Sequence, residues 1–260
     1  METTAVVVGT GNVATHLVRA LQQSDVRVLM LYGRNREHAD EAARLLGVSS
    51  TTDWKKLPSG AHFYLYAVSD NALAEVLAHT IAPQAIHLHT AGSMGLELFP
   101  RHKPRHGVLY PLQTFSKSKP LNFRTVPLFV EASSPDVLAE VNRLASLLAD
   151  KVYEADSQQR RRLHLAAVFA CNFVNHFYLI AGELLKTKNI SFEVIKPLIL
   201  ETALKVQELK PFEAQTGPAV RFDKNIIEKH LSKLADTEEY RQLYELISKS
   251  IFEHHKKVNG

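Results

Sequence analysis

The sequence predicts an α/β chain in which a doubly wound sheet over residues 1–153 precedes an all-helical domain over residues 154–260. Three observations carry this. Strand-like and helix-like runs alternate through the first part, as such a sheet requires. A glycine-rich turn, GTGNVA at residues 9–14, stands where the first apolar strand hands over to the first helix. Beyond Tyr153 strand-like alternation disappears and helix signals dominate to the C-terminus. The first domain is therefore Rossmann-like.

The first strand is the β-branched run at residues 5–8, and Val13, Leu17, Val18 and Leu21 then repeat at helical spacing. Between them, Gly9 allows a tight turn, Gly11 lets backbone N–H groups approach a pyrophosphate, and the small Ala14 permits close helix-on-strand packing. Gly9, Thr10, Gly11, Asn12 and Val13 are thus the expected phosphate cradle, with the helix N-terminus favouring the anion. A second strand at residues 26–32 ends in Gly33-Arg34-Asn35-Arg36, where an Asp or Glu usually binds the ribose of NAD. Two guanidiniums there suit a 2′-phosphate, so the expected cofactor is NADP. A third strand at residues 62–68 leads from Val68 into Ser69, Asp70 and Asn71, with Asp70 placed to cap the next helix. The strand at residues 85–89 ends in Thr90-Ala91-Gly92-Ser93. Ligands in such sheets lie beyond the carboxyl ends of the strands, which adds Val68, Ser69 and Thr90 to the cofactor set. Strands at residues 107–112 and 126–132, a helix at 134–149 and a short strand at 151–153 complete a sheet of eight strands or nearly so.

Composition narrows the function classes. The chain has 260 residues, 45% hydrophobic, with a net charge of +4 spread without a long basic tract, which favours small anionic ligands over nucleic acid. One cysteine, Cys171, excludes an intramolecular disulfide, and with no secretory pattern at the N-terminus the expected residence is cytoplasmic. His87 and His89 share a strand at ligand spacing, but no acidic third ligand lies nearby, so no metal is expected.

In the helical part, Asp156 or Ser157 can cap a long helix that is apolar on nearly every face from residue 163 to 185. Its length raises the question of a membrane span. His164, Asn172, Asn175, His176 and Glu183 interrupt the run and fall on one arc of roughly 120° for an unbroken α-helix, so no membrane partner is expected. A polar stripe on a buried helix needs partners, either a ligand or polar groups at a subunit interface. Further on, Thr216-Gly217-Pro218-Ala219-Val220-Arg221 joins a capping hydroxyl, a glycine, a proline and a cation, an arrangement that suits a carboxylate or simply a turn between helices.

The motifs in their order, GTGNVATHL, YGRN, AVSDNAL, HTAGS, YPLQTFS, LHLAAVFACNFVNH and TGPAVRFD, resemble the Rossmann-like NADP oxidoreductases that carry a C-terminal domain of unknown function. YPLQTFS and TGPA-x-R are far more specific than the glycine turn. More distantly the chain is similar to pyrroline-carboxylate reductase, deazaflavin-dependent NADP reductases and β-hydroxyacid dehydrogenases. That resemblance implies a homodimer through the helical domain. It also implies that the long helix carries the proton-transfer group. Where β-hydroxyacid dehydrogenases place a lysine and an asparagine one turn apart, this chain has His164 with Val168 one turn later, then Asn172 and Asn175. Residues 90–93 match the substrate-contacting Ser-Gly turn with altered order, and Phe222 stands where the family usually has glycine, a change expected to narrow the pocket.

The expected function is hydride transfer between NADPH and a small, anionic carbonyl or imine substrate. His164 is the expected proton donor, since imidazole titrates near neutrality. Asn172 and Asn175 orient the substrate, and Ser93 and Arg221 bind its polar end. The alternative is a non-catalytic NADP-binding redox sensor or assembly protein, because fold does not imply chemistry.

Overall fold

A computed structural model describes residues 2–79 and 82–259, with side chains to residue 257. Eight strands form one sheet in the order β3-β2-β1-β4-β5-β6-β7-β8. In chain order they are β1 (Thr4–Val8), β2 (Arg27–Tyr32), β3 (Ser50–Thr51), β4 (Phe63–Tyr66), β5 (Ile86–His89), β6 (His106–Pro111), β7 (Leu128–Ala132) and β8 (Val152–Glu154). All neighbours are parallel except β6 and β7. The order reverses between β1 and β4, which is the switch point where doubly wound sheets bind ligands. The sheet and its helices are the α/β arrangement expected from the sequence; the two-residue β3 is the strand the alternation did not reveal.

Alternate side chains of each strand enter separate cores on the two faces of the sheet. Ala5, Val7, Phe63 and Leu65 pack with Leu17 and Leu21 of α1 (Asn12–Gln23), while Val6, Val8, Tyr64 and Tyr66 join the core containing Leu73 and Leu77. Asn35 caps α2 (Arg36–Leu46) through the N–H of His38 at 3.0 Å. The cap of α3 (Asp70–Ala78) is Ser69 rather than Asp70, which is the first helical residue and leaves its carboxylate free for another contact. Ser134 and Pro135 open α4 (Pro135–Leu148).

Two fully buried histidines lie on β5. His87 Nε2 donates to the Ala82 carbonyl at 3.1 Å, so its Nδ1 accepts from the Tyr66 hydroxyl at 2.9 Å. His89 Nδ1 accepts from the Ala91 N–H at 3.2 Å, and its Nε2 has no partner. Burial holds both imidazoles neutral, pushing His87 down to about 4 and His89 to about 3. Because a free histidine titrates near 6.5, the unfolded chain binds more protons below that value, and stability is fully present above about pH 6.5 and lost as pH falls toward 4. Urea midpoints measured from about pH 8 to about pH 4 should show this slope, and His89→Leu should flatten it. An unchanged slope in that variant contradicts the assignment.

The chain divides into two compact units, Met1–Asn172 and Phe173–Gly260. Asp156 closes a full capping box with Gln159 at the start of α5 (Ser157–Ala167), which lies in the first unit. The helix then passes through a π-helical segment, Val168–Phe173, into α6 (Val174–Lys186). This segment corrects the single polar arc expected along residues 164–183, because π turns are wider than the 3.6-residue period on which the arc rests. The rest of the second unit comprises α7 (Lys196–Glu208), α8 (Pro211–Ala214), α9 (Pro218–Arg221), α10 (Lys224–Lys233) and α11 (Glu238–Asn259).

Candidate functional site

At the switch point, Gly9 has φ +127° and donates its N–H to the Tyr32 carbonyl at 2.8 Å. A side chain at Gly9 would run into the Ala67 carbonyl, so the turn admits only glycine. Gly11 differs: a Cβ there would meet nothing within 4 Å, and no side chain caps α1. The opening N–H groups of α1 therefore remain available beside open space, which is what a phosphate needs. Gly33 is required for packing, since a Cβ would lie 2.7 Å from Thr10 Cγ2 and 2.9 Å from Ala39 Cβ.

Gly9, Thr10, Gly11, Gly33, Arg34, Val68 and Ser69 line one cleft of about 290 Å³. Asn12, Val13, Asn35, Arg36 and Thr90 are not in its wall. Asn12 Nδ2 donates to the Phe115 carbonyl at 2.9 Å, tying α1 to the YPLQTFS loop, and Val13 packs on the core. Asn35 is spent as a cap, and Thr90 is buried with its hydroxyl 3.3 Å from the Tyr66 carbonyl. Arg36 donates to Thr52 at 3.0 Å and lies 3.8 Å from Asp40. Of the two arginines expected to clamp a 2′-phosphate, Arg34 alone lines the cleft.

The cleft's aromatic lining has no counterpart among the residues expected from the sequence. Trp54, in a 3-10 turn (Trp54–Lys56), stacks on Tyr32 at 3.8 Å and on His79 at 4.2 Å. With its faces covered by these two rings, Trp54 borders the cleft together with Tyr32 as the side of an aromatic stack. The Tyr32 phenol is raised by burial and, secondarily, by the carboxylate of Glu75, which also lines the cleft.

A second constellation sits at the carboxyl ends of β5 and β6. The Tyr110 hydroxyl and His164 Nδ1 are hydrogen-bonded at 3.0 Å, and both rings press on Gly92, where a Cβ would lie 2.7 Å from each. Tyr110 is buried, which raises its phenol; the charge of Arg160 opposes this and that of Asp70 adds to it. Ser93 Oγ donates to the Asp70 carboxylate. Of the expected catalytic residues, His164 and Ser93 thus share one corner, joined by Tyr110 and Asp70. The sequence had placed Tyr110 in a strand and Asp70 at a cap.

Helix α5 holds this corner. Arg160, fully buried, pairs with Glu131 of β7 and donates to the Met94 carbonyl, while its Nε has no partner. Arg161 donates to the Ser93 carbonyl at 3.1 Å and pairs with Glu97. The Leu96 N–H donates to Ser157 Oγ at 3.3 Å. Among the described residues no group of three His, Cys, Asp or Glu side chains is placed to hold a metal ion.

Asn172 belongs to the π segment at the end of the first unit, and Asn175 and Arg221 belong to the second. Asn172, Asn175 and His176 are exposed. Glu183 accepts a hydrogen bond from Tyr240, which raises that phenol. The helix expected to be buried is exposed within the chain: Leu165 is 51% and Leu179 55% accessible. By length and composition alone, Ser157–Lys186 is long and apolar enough to cross a membrane.

The TGPAVR segment also departs from expectation. The cap of α9 is Gly217, at φ +105°, not the Thr216 hydroxyl. Thr216, Pro218 and Ala219 line an apolar cavity of about 360 Å³ with residues of α6, α10 and α11, and Arg221 is not in its wall. Phe222 is outside that cavity too. It adopts left-handed backbone, φ +50°, which accounts for a glycine preference at this position, and its ring packs 4.8 Å from Phe252.

The family model "NADP oxidoreductase coenzyme F420-dependent" matches residues 4–88, and the model of a domain of unknown function, DUF2520, matches residues 126–251. A crystal structure described as a "putative NADP oxidoreductase" from Bacteroides fragilis is 46% identical, with a TM-score of 0.92 over 97% of this chain and 98% of that one. A Thermotoga maritima protein is 20% identical, with a TM-score of 0.81 over 97% of this chain and 99% of that one. An imine reductase from Myxococcus stipitatus, in complex with NADP+, shares the fold at 13% identity and a TM-score of 0.69, over 98% of this chain and 94% of that one. None of the curated proteins matches the chain.

Proposed function

The chain belongs to the family of NADP oxidoreductases that end in the DUF2520 domain, and on that premise we propose that it transfers hydride between NADPH and a small carbonyl or imine. The observation that carries this reading is the Tyr110–His164 hydrogen bond at the carboxyl end of the sheet, a proton-holding pair on the same edge as a dinucleotide cleft. A sensor that only binds NADP has no use for such a pair, so the catalytic reading is preferred to the silent one.

The residues fit the cofactor. The Gly9–Gly11 turn and the start of α1 would hold the pyrophosphate, the side of the Tyr32–Trp54 stack would border the adenosine, and Arg34 would meet the 2′-phosphate. When bound, NADPH supplies the hydride. Everything else falls to the chain. His164 and Tyr110 hold and deliver the proton, and each can pass it to the other through Nδ1 and the hydroxyl. Ser93, at the same corner, would contact the substrate's polar group. Exposed apolar side chains on α6, α7 and α11, among them Leu179, Leu198, Leu200 and Leu246, support a homodimer through the helical unit. The single cysteine supports a cytoplasmic setting.

Steady-state kinetics of His164→Gln and Tyr110→Phe test the assignment once a substrate is in hand. Each should lower kcat by about 100-fold or more while leaving NADPH affinity within about twofold, as expected of a general acid. Unchanged turnover in both variants would remove the proton-donor role.

A further inference from the structure

We propose that Asp70 makes the Tyr110–His164 corner a receptor for a cationic C=N group, so that the electrophile reduced is an iminium ion rather than a carbonyl. The inference rests on the reductase reading and narrows its substrate class. Asp70 accepts from Ser93 Oγ and, among the described residues, has no ion-pair partner. The two arginines that hold the Ser93–Met94 backbone are engaged elsewhere. Arg160 is neutralised by Glu131, and Arg161 is held by Glu97 and the Ser93 carbonyl. The corner therefore presents an exposed carboxylate that has no ion-pair partner among the described residues, at the ends of β4, β5 and β6. A helix N-terminus favours an acid in its first turn, but that accounts only for Asp70 on α3, not for the Ser93 hydroxyl that fixes its direction.

The sign of this charge separates the two chemistries. Reduction of a ketone builds negative charge on oxygen, which a facing carboxylate opposes. A neutral imine is a poor hydride acceptor, and protonation makes it a good one; a carboxylate beside the nitrogen favours the protonated form. In the balanced step, the imine nitrogen takes the proton held by Tyr110 and His164. Hydride from NADPH then forms the new C–H bond, the C=N π pair becomes the nitrogen lone pair, and NADP+ and a neutral amine leave. With a permanently charged iminium the carboxylate acts on binding alone, since the positive charge fades as hydride arrives.

The test follows NADPH oxidation with 1-pyrroline, 3,4-dihydroisoquinoline, the N-methyl cations of both, and the matched ketones cyclopentanone and 1-tetralone. The wild type should reduce at least one of the C=N probes and its matched ketone far more slowly. For the N-methyl cation of a turned-over imine, Asp70→Asn should raise KM by about 10–100-fold without lowering kcat, the signature of lost ground-state binding through a charge-assisted contact. Asp70→Glu should recover part of that loss, and NADPH affinity should stay the same in both variants. Preferential ketone reduction, an unchanged KM in Asp70→Asn, or an enzyme that binds NADPH yet reduces none of the C=N probes overturns the proposal. Failure of the wild type to bind NADPH instead removes the reductase reading and this inference with it.

Discussion

Replacing Arg160 with methionine is expected to destabilise the first unit by about 3–5 kcal/mol, because it leaves the Glu131 carboxylate unpaired in a largely buried site. Glu131 retains only the Ser157 N–H and hydroxyl, at 3.0 Å and 2.8 Å. Two ties are lost at once: α5 to β7 through Glu131, and α5 to the loop after β5 through the Met94 carbonyl. The loss should be visible as a lower urea midpoint with little change in m. The double variant Arg160→Met with Glu131→Leu should regain much of the stability, since removing both members of a buried pair costs less than removing one. Its catalytic corner should still be loosened, because Met94 follows directly on Ser93. Equal instability in the single and double variants contradicts an electrostatic origin.

Gly9→Ala is expected to lower NADPH affinity by about 100-fold or more, equivalent to roughly 2.7 kcal/mol. Alanine at φ +127° costs of order 1–3 kcal/mol in backbone strain, and its methyl group would also push on the Ala67 carbonyl. Relief requires the turn to move, and the turn sets where the α1 N-terminus meets the pyrophosphate. The comparison is Gly11→Ala, whose methyl meets no protein atom within 4 Å. It should leave stability close to wild type and still weaken NADPH, because it occupies the space the phosphate needs. Wild-type affinity in Gly11→Ala contradicts the phosphate cradle, and wild-type affinity in Gly9→Ala contradicts the rigid turn.

Much of the sheet was legible because its evidence is local. The apolar run at residues 5–8, the glycines at 9 and 11, and the spacing of Leu17, Val18 and Leu21 each report a period or a conformation that neighbours in sequence impose. Strand β3 was not legible, since two residues cannot show alternation. The site was read less completely for the same reason. Trp54 sits in an aperiodic turn, and its stacking partners come from β2 and the end of α3. Tyr110 looks like any strand residue until His164, 54 positions later, arrives at its hydroxyl. Asp70 fits a cap by sequence, and its partner Ser93 is fixed only when β4 and β5 pair. Arg36 resembles Arg34 in type and position, and its contacts with Thr52 and Asp40, away from the cleft, separate their roles. The 164–183 polar arc failed because a π segment leaves no mark in residue periodicity.

The cleft beside Arg34 is expected to bind NADPH in preference to NADH. Calorimetric titration of the wild-type protein and of Arg34→Ala with each nucleotide tests it most directly, and quenching of Trp54, the one tryptophan in the chain, gives an independent reading of the same site. The wild type should bind NADPH more tightly than NADH by about 10-fold or more, with Arg34→Ala losing most of that preference while its NADH affinity stays nearly constant. Equal affinity of the wild type for both nucleotides, or equal weakening of both in Arg34→Ala, would contradict it.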